Sequence, residues 1–376
     1  MSQYSKFARG WCSPERYIQG PGEINNIKAY TDKIGKKVVA FIDQFLYEAM
    51  SAKLGEIYGD GEHEIHMFIF DSEVTMEHIN RRTEEVRPMM PEVILGIGGG
   101  KTIDVAKAVS YKLGVRFVIV PTAASTDAPT SSLSVIYRAD GSHEGEFFYD
   151  HSPSILVVDS RIIAEAPTRL LVSGMGDALA TLLEAEATGK SDTPNLVYHT
   201  DGGFRQTIAG RAIARACYES LMKYGALAKI ACDGNVVTEA LENIIETNIL
   251  LSGLGFENNA TAGAHSINDG LTALPAGSKT MHGEKVAFGC IVQLIAECAA
   301  LERLEEVTSF CLEVGLPVCL EDLYVENTDE NIALIAQASM HSCWENMPFD
   351  VSVEMVAAAI RAADSYGRQF KRKHRA

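Results

Sequence analysis

Val93-Ile94-Leu95-Gly96-Ile97-Gly98-Gly99-Gly100-Lys101-Thr102 is an apolar run that ends in glycines, and the amphipathic stretch Ile103 to Leu113 follows it. The pattern is that of a buried strand turning sharply into a helix. Glycines at such a turn let the backbone approach a pyrophosphate. The free amides and positive dipole of the next helix's first turn then hold its charge. A dinucleotide site is the natural reading, with a turn kept only for packing as the plainer alternative. The spacing is neither Gly-x-Gly-x-x-Gly nor a P-loop, which argues against an ATPase.

Working outward, short β-rich runs alternate with helical stretches at Lys37 to Asp43, Ile65 to Phe70, Phe117 to Pro121 and Ile155 to Asp159. That rhythm predicts a parallel sheet with crossover helices. Asp43 closes one of these strands, where a carboxylate can accept hydrogen bonds from an adenine ribose and repel the extra phosphate of NADP. Taken alone, a strand-ending aspartate is more often a turn former than a ribose ligand. Between Tyr137 and Tyr149 a hairpin is expected, with Asp140-Gly141 as its turn. Beyond Pro167 the β-rich runs stop and apolar residues recur at helical spacing, as in Val237, Leu241, Ile244 and Ile245. Helix breaks are expected at Gly202-Gly203, Gly253 to Gly255, Pro275 to Gly277, Pro317 and Pro348. The expected division is an α/β dinucleotide-binding domain over residues 1–166 and an all-helical domain over residues 167–376.

A chain of 376 residues that is 47% apolar can bury cores in both parts. Its formal charge of -17 repels polyphosphate backbones and speaks against a nucleic-acid partner. The basic cluster Lys371, Arg372, Lys373, His374 and Arg375 is expected to be a solvated, disordered tail. No apolar run is long enough to cross a bilayer, and Met1 to Lys6 lacks the apolar core of a signal peptide. Eight scattered cysteines without a Cys-x-x-Cys pair point to reduced thiols. A soluble cytoplasmic protein without a membrane partner is therefore expected.

Four motifs carry a family resemblance. They are Gly98-Gly99-Gly100-Lys101-Thr102, Pro121 to Pro129 (PTAASTDAP), Gly174 to Thr181 (GMGDALAT) and His282 to Gly289 (HGEKVAFG). With them the chain resembles the glycerol dehydrogenases, the zinc-type polyol branch of the iron-containing alcohol dehydrogenase superfamily. The resemblance spans nearly the whole chain and implies a Rossmann-like parallel-sheet domain followed by an all-helical one, the dehydroquinate synthase-like architecture. It implies that Asp43, Gly99, Gly100, Lys101 and Thr102 contact NAD, joined by Thr122, Ser125, Ser131, Leu133 and Tyr137. It implies that Asp127 meets the substrate hydroxyls, and that Asp177, His265 and His282 hold a metal. Two imidazoles and a carboxylate suit zinc or ferrous iron and leave a position open for substrate. Iron-dependent relatives carry a histidine where this chain has Thr181, which favours zinc. The resemblance also suggests a large homo-oligomer, with an octamer as the candidate size.

Without the resemblance the metal assignment is weak, because an aspartate and two distant histidines form no local motif. The small residues Ala260 to Ala264 before His265 would permit close approach to a cavity. The competing histidines, His63 and His66, fall on opposite faces of a strand by alternation and read as a solvated or edge segment. Two departures from the family pattern stand out. Many glycerol dehydrogenases carry a second histidine where this chain has Asn268, and an amide cannot relay protons as imidazole does. The segment Lys190 to Arg205 also fits poorly and reads as an inserted loop.

The expected activity is NAD-dependent oxidation of glycerol or a related vicinal diol to the hydroxyketone, with the metal polarising the substrate hydroxyl. Alternatives on the same scaffold are oxidation of another small alcohol or a hydroxycarboxylate, a dehydroquinate synthase-like lyase, or a regulator that binds without turnover. An acidic Asp127 in the pocket disfavours phosphorylated and carboxylate substrates.

Overall fold

The computed structural model describes residue 5, residues 7–139 and residues 141–374. Six strands form one sheet: β1 (Arg16–Gly20), β2 (Lys37–Asp43), β3 (Glu64–Phe70), β4 (Val93–Gly98), β5 (Arg116–Pro121) and β8 (Ile155–Asp159). Their order is β1-β8-β5-β4-β2-β3 and every neighbouring pair is parallel. Helices cover both faces of such a sheet, so its inner strands are apolar throughout instead of alternating. β4 is buried at all six positions. Successive residues nonetheless feed two cores. Val39, Phe41, Ile94, Phe117 and Ile119 belong to one, while Val38, Ala40, Ile42, Leu95 and Val118 belong to the other. The first core runs on into Met175, Leu179, Ile249 and Phe288, so one sheet face shares its apolar interior with the helices that follow.

The chain steps outward from β2 to β3, crosses back to β4 on the other side of β2, and then continues to β5 and β8. Progression therefore reverses between β2 and β4. In open α/β sheets ligands bind beyond the carboxyl ends of the strands at such a reversal. Asp43 and Gly98 occupy those two strand ends.

Three of the expected β-rich runs match their strands end for end, and β3 and β5 each begin one residue earlier, at Glu64 and Arg116. β1 has no counterpart among the expectations. It is a half-buried edge strand, paired only with β8 and written in mixed polarity as Arg-Tyr-Ile-Gln-Gly, so neither a continuous apolar run nor clean alternation marks it. The hairpin begins earlier than expected. Its strands are β6 (Leu133–Tyr137) and β7 (His143–Phe148), with a register irregularity at Ile136/Tyr137. Asp140 lies outside the described residues. Gly141 takes φ 83°, a left-handed conformation that suits glycine, and its N–H donates to Arg138 O at 2.9 Å.

Among the described residues, all regular elements from Thr168 onward are helical. The expected break at Gly253 to Gly255 is absent. A continuous helical run instead passes from Glu239–Glu246 through a wide π-turn at Thr247–Leu251 into Ser252–Glu257. These glycines serve close packing. A Cβ on Gly253 would sit 1.7 Å from Thr130 Oγ1, and one on Gly255 would sit 2.2 Å from Thr181 Cγ2. The basic C-terminal cluster is also not a disordered tail as far as His374. The helix Val353–His374 carries it, held by the buried stripe Val356, Ala359, Ile360, Ala363 and Phe370. Lys371 pairs with Asp322, His374 stacks on Phe370 at 4.2 Å between centroids, and Arg375 lies outside the described residues. Cations are favoured at a helix C-terminus, which explains why this one continues into a basic run. Among the described residues no helix is long and apolar enough to cross a membrane.

Candidate active site

Gly99 caps the helix Gly100–Leu113 in extended conformation, and the first intrahelical bond runs from Ile103 N to Gly99 O at 3.1 Å. The amides of Gly100, Lys101 and Thr102 therefore have no acceptor within the helix. The glycines of the turn divide their work. A Cβ on Gly98 would lie 2.7 Å from Thr102 Oγ1 and 2.9 Å from Asp43 Cβ, a packing requirement, whereas one on Gly99 would meet nothing within 4 Å. The open side at Gly99 is what an approaching ligand needs. Asp43 acts in part as a turn former: its Oδ1 accepts from Phe45 N at 3.0 Å, and its Oδ2 accepts from Thr102 Oγ1 at 3.3 Å. Lys101 Nζ lies 2.5 Å from Glu73 and 5.1 Å from the centre of the Tyr137 ring. Thr122 N donates to Gly98 O at 3.1 Å, which ties the loop after β5 to the glycine turn.

Ser131 and Leu133 are buried, and both are held by Lys107, a fully buried lysine that the sequence reading passed over. Its Nζ donates to Ala128 O at 2.9 Å, to Ser131 Oγ at 3.2 Å and to Leu133 O, and lies 3.2 Å from the buried Asp104 carboxylate. Ser125 is half-buried and its carbonyl accepts from Ser173 Oγ at 3.3 Å. Asp43, Gly99, Gly100, Lys101, Thr102 and Thr122 thus gather at the carboxyl ends of β2, β4 and β5, with Tyr137 against Lys101. Ser131 and Leu133 are buried around the Lys107 ammonium.

On the helical side, small residues allow backbones to touch. A Cβ on Gly174 would lie 2.0 Å from Ala124 O, one on Gly176 2.3 Å from Gly283 O, and one on Gly283 1.7 Å from Ser173 O. This close contact between the helices Thr168–Ser191 and His282–Ala296 sets Asp177 Oδ1 3.1 Å from His282 Nε2. The helix Gly263–Thr272 brings His265 Nε2 within 3.4 Å of the same oxygen. One ligand atom from each of Asp177, His265 and His282 lies within 4.8 Å of the others. Asp177 Oδ1 is buried and makes no hydrogen bond, an orphaned acceptor between two imidazoles. That arrangement, with one carboxylate oxygen and two ring nitrogens, fits a divalent cation.

The charges around the trio oppose burial. Burial alone would raise the Asp177 pKa, but His282 and His265 overcome it and hold the carboxyl below the usual range. Burial would likewise lower His265, yet the Glu184 and Asp177 carboxylates raise it well above the ordinary imidazole value. Asp127 goes the other way, pushed well up by burial and by the Asp177 charge. Its N–H donates to Asp177 Oδ2 at 3.3 Å, and its Oδ2 accepts from Ser252 Oγ at 2.9 Å. Thr181 Oγ1 is 3.0 Å from Ser252 Oγ, so its hydroxyl is engaged with that serine.

Glu184 is the residue that sequence reasoning missed. Its Oε2 lies 2.7 Å from His265 Nδ1, while its Oε1 accepts from the backbone N–H of His265 and of Ala262, both at 2.9 Å. The carboxylate engages Nδ1 and so leaves Nε2 as the ring nitrogen turned toward Asp177, the one that a bound cation would use. A signal existed, since Asp177, Thr181 and Glu184 follow the i, i+4, i+7 spacing of one helix face, and a glutamate on a buried face demands a partner.

The competing histidines lie elsewhere. His63 is clamped between Asp32 (2.6 Å) and Asp60 (3.0 Å), and His66 pairs with Glu64 at 2.9 Å, at the amino end of edge strand β3. The Lys190 to Arg205 segment is a tied connection. Asn195 Nδ2 donates to Gly10 O at 3.0 Å, Leu196 N to Glu257 O at 3.0 Å, and His199 stacks on Phe148 at 4.7 Å.

Residues 14–160 match the model of the iron-containing alcohol dehydrogenase family. The chain is 42% identical to the glycerol dehydrogenase of Thermotoga maritima over 363 residues, 95% of this chain and 97% of that one. It is 40% identical to the glycerol dehydrogenase of Citrobacter freundii over 95% of this chain and 98% of the relative. The crystal structure of glycerol dehydrogenase from Schizosaccharomyces pombe superposes with a TM-score of 0.92 at 36% identity, covering 100% of this chain and 94% of that one.

Proposed function

The chain belongs to the iron-containing alcohol dehydrogenase family, and on that premise we propose that it oxidises glycerol, or a vicinal diol like it, to the hydroxyketone with NAD as hydride acceptor. One observation supports this reading above the others: a single loop links the glycine turn to the Asp177 trio. Thr122 N bonds Gly98 O, a Cβ on Gly100 would sit 3.6 Å from Thr126 Oγ1, and Asp127 N bonds Asp177. On this reading the cofactor and metal sites are neighbours, which is what hydride transfer between them requires.

Asp177, His265 and His282 would hold a divalent cation, which when bound would supply Lewis acidity to a substrate hydroxyl, and bound NAD would supply the hydride acceptor. The chain's own residues do the rest. Amides of Gly100, Lys101 and Thr102 hold the pyrophosphate, with Gly99 leaving room for it. Asp43 meets the adenine ribose and repels a 2′-phosphate. Thr122, Ser125 and Tyr137 line the cofactor's path, and Ser131 and Leu133 form its wall. Asp127 bonds a substrate hydroxyl and penalises ligands that lack one, because an unpaired buried polar group costs roughly 1 to 3 kcal/mol. Glu184 keeps His265 in the ligating tautomer. Zinc is the preferred ion, since Thr181 is committed to Ser252 and offers no further nitrogen.

The same reading divides the chain near residue 166 into a cofactor half and a metal half. It also makes the protein a homo-oligomer, for which the exposed Leu227 and Ile230 on the helix Ile208–Asp233 provide apolar surface. The deciding experiment incubates purified protein with NAD and a panel of diols, before and after chelation and repletion with zinc or ferrous iron. NADH should accumulate, vanish with the metal and return best with zinc. A lyase would accumulate none, and NAD binding without NADH from any alcohol would end the proposal.

A further inference from the structure

Asn268 is 5% exposed and lies one turn beyond His265 on the helix Gly263–Thr272. Side chains three apart share a helix face, so the amide stands on the same side as the ligating ring. Its Nδ2 donates to Asp269 Oδ1 at 2.9 Å, and Asp269 Oδ2 in turn accepts from Ser342 Oγ at 2.6 Å. A carboxylate can only accept, so this contact settles which end of the amide is the nitrogen. Oδ1 is left over, buried and without a hydrogen-bond partner. Tyr137, raised chiefly by burial, and His143, raised chiefly by Glu146, both also feel the Asp269 charge. Asp269, the neighbour of Asn268, therefore lies near the β6–β7 hairpin, which carries Tyr137 beside Lys101.

We infer that Asn268 Oδ1 is a ligand-reading acceptor, which pairs with an O–H or N–H donor of the molecule bound between the trio and the hairpin. The inference rests on the function proposed above and adds a specificity-determining residue to it. A buried carbonyl left unpaired is unfavourable, and the pairing arrives with the ligand. Two donors have this chemistry: a hydroxyl of the polyol and the carboxamide N–H of nicotinamide. Asn268 selects for the donor and transfers no proton, because an amide does not titrate near neutral pH.

The test compares wild type with Asn268→Ala and with Asn268→Leu, which keeps the shape and removes the carbonyl. It measures kcat/KM on glycerol, 1,2-propanediol and 1,3-propanediol, the NADH dissociation constant by calorimetry, and Tm without ligand. If the donor is a substrate hydroxyl, both variants lose about tenfold in kcat/KM on glycerol and little on the diol lacking that hydroxyl, with NADH affinity unchanged. If the donor is the carboxamide, NADH binding weakens about tenfold and all alcohols suffer alike. In either case Asn268→Leu does not lower Tm. A lower Tm with both affinities within about twofold of wild type would make Asn268 merely structural and overturn the inference. Should wild type oxidise none of the alcohols, the functional reading falls by itself. NADH binding then decides the present inference, and an unchanged constant in both variants overturns it.

Discussion

On the sheet side of the active site the groups offered to a ligand belong to the backbone: three amides at the start of the helix Gly100–Leu113, bared by a glycine with open space beside it. On the helical side they are side chains from residues 177, 265 and 282, carried by three helices and steered by a fourth group, Glu184. The first arrangement is local and needs only a strand, a turn and a helix. The second is assembled at a distance and depends on helices touching at Gly176 and Gly283. Damage to the sheet side should therefore weaken binding and spare the fold, whereas damage to the helical side should remove the metal, the fold or both.

The sharpest way to break this contrast is His282→Ala. It should abolish metal retention and turnover together, as read by metal analysis and NADH formation; a metal-free variant with full activity would refute the helical half of the comparison. Gly283→Ala should act on the fold itself. A methyl group 1.7 Å from Ser173 O cannot be accommodated without moving a helix, so urea denaturation should show a loss of about 3 kcal/mol or more. Glu184→Gln keeps the shape but removes the charge behind His265, and metal affinity should drop about 10- to 100-fold in a competition assay with a chelator.

A milder test uses pH. With no metal bound, His265 has its pKa raised well above 6.5, because Glu184 and Asp177 outweigh burial. Its protonation stabilises the folded metal-free protein fully below the unfolded imidazole value, and this contribution is lost as pH rises through the raised folded value. Metal needs the neutral ring, so affinity should rise with pH over that same window and binding should release protons. Glu184→Gln should shrink that pH dependence. The smallest effect should come from Gly99→Ala. Its extended conformation suits alanine and its Cβ meets nothing, so stability should change by no more than about 1 kcal/mol while NAD affinity falls. A large loss of stability there would mean that the turn serves packing after all.

The same contrast explains what could be read from the chain alone. β4 and its glycine turn are contiguous, and the apolar run, the glycines and the amphipathic helix reinforce one another within about twenty residues. β1 escaped because an edge strand with one neighbour has no strict pattern to obey. Gly253 to Gly255 read as a break because glycine weakens helices, yet contacts with Thr130 and Thr181 outweigh propensity once the helix is packed. The trio was visible only through family resemblance, since residues 177, 265 and 282 share no spacing rule. Glu184 and Lys107 stayed hidden because a buried charge is recognised by its partners, and those lie 81 and 24 residues away at His265 and Ser131.

The π-turn at Thr247–Leu251 sets the rotational phase of everything after it. Each helical residue advances the face by about 100°. Because the π-turn takes up one extra residue, winding the same residues as a regular helix would swing Ser252, Gly253 and Gly255 round by about that angle, away from Asp127, Thr130 and Thr181. Asn248, inside the turn, binds Ala124 O at 2.9 Å and Leu171 O at 3.0 Å, and so anchors the dial on which the downstream face is set.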